Sequence, residues 1–156
     1  MPVKWRALIV DKPLQYLALA RKAGIIELGE EPVGAVTRGG HAALVVVAAD
    51  ASDHTWRRAQ SFVAGTSQIC LRVPYTKDQL GLSIGRTSLA IAAIKDPAMA
   101  LAFVTALEQP DRHRTVLQAL ESRTQRVQQR RKEEKAHLKN KQLGKRRRNP
   151  VAKKDN

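Results

Sequence analysis

AGIIELGEEPVGAVTRGGHAALVVVAAD, residues 23–50, decides how the chain is read. Residues 25–28 form a short strand, Gly29 a turn, residues 30–38 a helix, Gly39 and Gly40 a second turn, and residues 44–49 a strand. LVVVAA is an uninterrupted apolar run with three β-branched residues, the mark of a strand buried on both faces. Two carboxylates, Glu30 and Glu31, follow Gly29. Pro32 falls in the first helical turn, where a missing N–H costs little. A helix start bared by a glycine turn offers unpaired N–H groups to a ligand.

Upstream, Asp11, Lys12 and Pro13 mark the start of a helix that runs to Ala23 and stops at Gly24. Leu14, Leu17 and Ala18 share its apolar face; Ala20 falls off that face, and Arg21 ends the stripe. Residues 1–12 have no clear period and read as an N-terminal arm, with Trp5 as an anchor. Downstream, Asp50 and Ser52 are caps for a helix over 53–64. A strand follows at 69–73, a short helix at 77–83 ending near Gly85, a strand at 89–94, and a helix from Pro97 through Leu107. Alternating short strands and helices predict an α/β fold for residues 13–108: a three-layer α/β/α sandwich with a small mixed sheet. Residues around Pro110 form a hinge. Residues 109–156 are a basic C-terminal extension, helical in its first half, with residues 145–148 and the end of the chain disordered when alone. Its apolar stripe is too thin for a core, so it is solvated or rests on a partner. No internal repeat is present.

The charge is one-sided. The chain carries 28 Lys and Arg against 14 Asp and Glu. Residues 1–108 hold 12 of the cations and 9 of the anions, whereas residues 109–156 hold 16 and 5. A nearly balanced body with a cationic tail calls for a polyanion, and RNA is the first choice. A membrane surface fits less well, because the tail lacks a continuous apolar face. Aromatic residues make up only 4%, so aliphatic side chains and alanine must build the core. The single cysteine, Cys70, permits no internal disulfide and reads as a small buried hydrophobe, in keeping with a reducing cytoplasm. No apolar run reaches the length of a transmembrane helix or a secretory signal. His41, His54, His113 and His137 lack metal-ligand spacing. No phosphate loop and no nucleophile–base pair can be found, so neither catalysis nor a cofactor is expected.

The blocks LALARKAG, LGEEPV, LVVVAADAS, LGLSIGR and AIAAIKDP, in that order between Leu17 and Pro97, resemble the kink-turn-binding ribosomal protein family, the archaeal L-seven-Ae type. Its bacterial branch, with LGLARRAG, a GEE or GED turn, LVLLAEDAS, LGRAIGK and VVAVTD, is the most similar. The resemblance implies an α/β/α sandwich without cofactor or catalysis that binds RNA bent at sheared G·A pairs. It also implies contacts from the turn at Gly29 and from the loop formed by Arg86, Thr87, Ser88 and Leu89. The family's best RNA binders carry Asn, Glu and Lys where this chain has Glu31, Pro32 and Ala35.

Glu30 and Glu31 can accept hydrogen bonds from base amino groups, or simply complement the helix dipole. Arg86 can pair with a phosphate, and Thr87 or Ser88 with a sugar. Trp56, flanked by Arg57 and Arg58, can stack on a base or pack beneath a guanidinium. Arg130, Arg131 and Lys132 form one cationic cluster; Lys145, Arg146, Arg147 and Arg148 form another, for phosphates. The expected protein is a cytoplasmic, non-enzymatic binder of structured RNA, ribosomal or ribosome-associated, monomeric off RNA, with ribosomal proteins as further partners. The rival expectation is a protein-interaction module on the same fold.

Overall fold

Gly29 and Gly39 bracket the second helix as the sequence requires, and the remaining elements fall into place around it in a computed structural model that describes residues 11–108 and 112–148, with side chains as far as Lys145. The order is α1 (Lys12–Lys22), β1 (Ile26–Leu28), α2 (Glu30–Arg38), β2 (Leu44–Val47), α3 (Asp53–Val63), β3 (Cys70–Arg72), α4 (Lys77–Ser83), β4 (Ile91–Ile94), α5 (Pro97–Ala106) and α6 (Arg114–Arg148). Apart from Asp11 and Lys12, the N-terminal arm lies outside the described residues. So do most of the hinge at Pro110 and the chain beyond Arg148.

The four strands lie in the order β1-β4-β2-β3. β4 runs antiparallel to both its neighbours, with Leu28 opposite Ala92 and Val46 opposite Ala92 from the other side. β2 and β3 are parallel, Val45 facing Cys70. The sheet is therefore mixed, and the long connections needed by its parallel pair are helices. One layer is formed by α2 and α3, the other by α1 and α5 with α4 against α1. Every residue of β2 and β4 is buried, as two-sided cover demands. The core is aliphatic and alanine-rich, with Phe103 its largest fully buried side chain.

α1 departs from its expected face. Ala20 is buried with Pro13, Leu14 and Leu17, while Ala18 is half-buried. The helix packs on α5, α4 and β1, and this spread of neighbours shifts its apolar stripe from Ala18 towards Ala20. Cys70 is also only half-buried, because β3 is an edge strand; that burial still pushes its thiol pKa up.

A buried amide ties the end of α2 and the approach to β2 to the segment that leads from α3 into β3. Gln68 accepts from the Ala42 N–H at 2.9 Å and donates to the Thr37 carbonyl at 2.9 Å. Gln68→Ala leaves both backbone groups without their partner, so urea unfolding should show a loss of about 2–4 kcal/mol; no loss would mean water replaces the amide.

Packing divides the chain into two units, Met1–Glu121 and Ser122–Asn156. The start of α6 thus belongs to the folded body: Leu120 is fully buried, and Val116 and Leu117 pack on the core. His113 is buried too, and loss of solvent lowers its imidazole pKa, with Arg112 acting in the same direction. Residues 145–148, expected to be disordered, are the last turn of the α6 helix. Arg, Lys, Gln and Glu are all good helix formers, so the segment can be helical without a core.

Candidate nucleic-acid interface

Gly29 is the N-cap of α2 at φ 99° and ψ 161°, a conformation open essentially to glycine alone. Its carbonyl accepts from the Val33 N–H at 3.1 Å, and its own N–H donates to the Ile91 carbonyl at 3.0 Å. The second bond matters for the site. It ties the end of β1 to the start of β4, two residues beyond the 86–89 loop.

That loop leaves α4 through Gly85, which takes φ +78°. The Arg86 N–H reaches the Gly81 carbonyl at 2.8 Å and the Gly85 N–H the Leu82 carbonyl at 3.3 Å, the paired bonds of a Schellman motif. Arg86, Thr87 and Ser88 are exposed. Leu89 is not: it is 4% exposed and its N–H donates to the Lys77 carbonyl at 3.0 Å. Leu89 therefore anchors the loop and offers no side chain to a ligand. The loop is also pressed onto α4, because a Cβ on Gly81 would lie 2.7 Å from Ser88 backbone atoms.

Because β4 is antiparallel to β1 and β2, its beginning lies beside their ends. The Gly29 corner, the turn after β2 and the 86–89 loop all gather at this end of the sheet. Asp50 belongs here. It does not cap α3, whose cap is Ser52 accepting from the Thr55 N–H; Asp50 accepts from the Lys77 N–H at 2.8 Å and so fixes the start of α4. The corner thus rests on rigid elements and presents the Arg86 cation among residues with hydrogen-bonding side chains.

The two acidic residues separate in role. Glu30 is paired with Arg58, its Oε1 2.6 Å from Nε, and the Arg58 guanidinium lies 5.0 Å from the centre of the Phe62 ring. Glu31 is exposed and pairs with no described residue. Trp56 is half-buried, and its ring carries Arg72 from β3 at 4.9 Å, not its helix neighbours Arg57 and Arg58. The Trp56–Arg72 and Glu30–Arg58 pairings join residues 16 and 28 positions apart, and no local pattern announces them. Among the described residues, no three of His, Cys, Asp and Glu gather as metal ligands, and no helix is long and apolar enough to cross a membrane.

This arrangement of helices and strands recurs in solved proteins. A protein of unknown function from Bacillus halodurans C superimposes with a TM-score of 0.59 at 24% identity, over 64% of this chain and 99% of its own. A Giardia lamblia 15.5kD RNA binding protein does so with a TM-score of 0.51 at 17% identity, over 70% of this chain and 87% of its own. At these identities the likeness shows the fold. No family model matches the chain, and no curated protein matches it significantly. The Bacillus protein is almost wholly matched, so about a third of this chain has no counterpart in it.

Within the second unit, residues 122–148 carry 12 Lys and Arg against 2 Glu. They are helical throughout, about 40 Å of helix at 1.5 Å per residue. Arg130, Arg131, Lys132 and Lys145 are all exposed. At 100° per residue, three consecutive cations point to different sides of the helix, so the charge encircles it. Leu138 and Leu143 are exposed on the same helix, at 59% and 45%.

Proposed function

We propose that the chain is a non-enzymatic, ribosome-associated RNA-binding protein. It docks the Gly29 corner and the loop of Arg86, Thr87 and Ser88 on a folded, kink-turn-like RNA and lays its basic helix along neighbouring phosphates. The observation that carries this reading is the hydrogen bond from the Gly29 N–H to the Ile91 carbonyl at 3.0 Å, which makes two separate segments one surface. The RNA-binding Giardia protein of the same fold adds support.

Each part has a distinct task. The Glu30 and Glu31 N–H groups, which have no partner within α2, and the Thr87 and Ser88 hydroxyls can meet sugar and base edges. Arg86 can neutralise a phosphate. Ala35 stands exposed where the resembling family has a lysine, so α2 supplies no cation there. The charge must come from Arg86 and α6, which add affinity more than sequence choice.

Arg86→Ala in the full chain tests the corner. Kink-turn RNA should bind about tenfold more weakly, the ~1.4 kcal/mol of one charge-assisted contact, with a smaller change on a straight duplex. Equal losses on both RNAs would remove bend recognition. No RNA binding by the parent chain at low salt would leave the protein-interaction module in its place.

A further inference from the structure

Beside the corner, α2 and α3 form a groove lined by Glu30, Glu31, Gly34, Arg38, Arg58 and Phe62. We propose that this groove holds one unpaired nucleotide of a bound RNA strand, its base stacked on the Arg58 guanidinium and its phosphate on Arg38. The inference deepens the RNA-binding reading and rests on it.

Arg58 is held in a way an ordinary surface arginine is not. Its guanidinium carbon lies over the Phe62 ring, 5.0 Å from the ring centre, and its Nε–H edge is fixed by Glu30 at 2.6 Å. The side chain is nevertheless 48% exposed, which leaves it surface for a base to cover. A guanidinium plane is weakly hydrated and stacks well on bases. Fixing the plane beforehand removes most of the side-chain entropy that stacking would otherwise cost.

The groove's shape follows from Gly34. A Cβ there would lie 3.1 Å from the Phe62 ring and 3.3 Å from Arg38 Nη1, so the missing side chain lets both residues close against α2. Arg38 is exposed, and no described residue pairs with it. Glu31 lies two helical turns away at the other end, about 10 Å along α2. The groove is thus acidic at one end, cationic at the other, and floored by a fixed plane. A phosphate is repelled from Glu31 and drawn to Arg38, while Glu31 can accept a hydrogen bond from a base amino group. That orients a single nucleotide along the groove.

The test uses the full chain with 15N-labelled arginine. The Arg58 Nε–H resonance should shift upfield on addition of a tetra-adenylate RNA and should not do so with an abasic tetranucleotide of equal charge. Arg58→Lys keeps the charge and loses the plane. It should bind tetra-adenylate about tenfold more weakly and the abasic strand unchanged, with the rest of the spectrum undisturbed. An unmoved Arg58 signal, or equal shifts with both strands, overturns the proposal. So does tighter binding of adenosine 5′-monophosphate than of the tetranucleotide, or a signal that moves only with peptides. Kink-turn RNA that binds through Arg86 while Arg58 stays silent overturns the platform alone. An Arg58 response without any binding of folded RNA overturns the proposed function alone.

Discussion

Gly81→Ala is expected to weaken RNA binding more than Arg86→Ala does, by well over tenfold, although Gly81 itself is buried. Its new Cβ would sit 2.7 Å from the backbone N and Cα of Ser88 and 2.9 Å from the Arg86 carbonyl oxygen. These are main-chain atoms, so no side-chain rotation relieves the clash. α4 is the less able to move. Thr76 and Gln79 close a capping box at its start, Asp50 holds the Lys77 N–H, and Leu80 is fully buried. The loop must yield, carrying Arg86, Thr87 and Ser88 with it and breaking the 2.8 Å bond from the Arg86 N–H to Gly81. Stability should drop by about 1–3 kcal/mol, as overpacking does. Fluorescence anisotropy with kink-turn RNA and urea unfolding would measure both effects. A variant of lowered stability with undiminished binding would remove the loop from the site.

The other large effect concerns the basic helix, and it depends on where the chain is cut. A chain ending at Glu121 keeps Leu120, Val116 and Leu117 in place and should fold with nearly full stability. One ending at Glu108 loses them, and the deletion of buried Leu120 alone should cost about 2–5 kcal/mol. The cut at Glu121 therefore separates binding from folding. It removes 14 Lys and Arg, 12 of them within residues 122–148. Affinity at low salt should fall by about two orders of magnitude or more, and the slope of log K against log salt should flatten by about 0.7–0.9 for each phosphate no longer neutralised. Replacing Arg130, Arg131 and Lys132 by Gln should flatten it by about 2–3. An unchanged slope would show that the helix touches no phosphate.

Much of the fold is legible in the sequence because its signals are local. Gly29 and Gly39 delimit α2, and a short apolar run with three β-branched residues reads as a strand covered on both sides, which is what β2 is. Leu89 illustrates the opposite case. By sequence it groups with the polar loop before it, yet an apolar residue at the entry to a buried strand belongs to the core, and there it lies. The face of α1 depends on which elements press on it, which spacing alone does not state. The end of α6 turns on a competition between helix propensity and the lack of apolar residues, and propensity prevails. At the site, Gly29 and Arg86 are visible as a turn and a loop cation. The Glu30–Arg58 pair, the Asp50 bond to Lys77 and the close fit of Gly81 under Ser88 arise only when separate segments meet.

The shared corner is most directly tested by following backbone amide resonances of the full chain while kink-turn RNA is added at near-physiological salt. Gly29, Glu30, Arg86, Thr87 and Ser88 should shift together, at the same RNA concentration, along with residues of α6. Shifts confined to residues 122–148, with the corner amides unmoved, would contradict it.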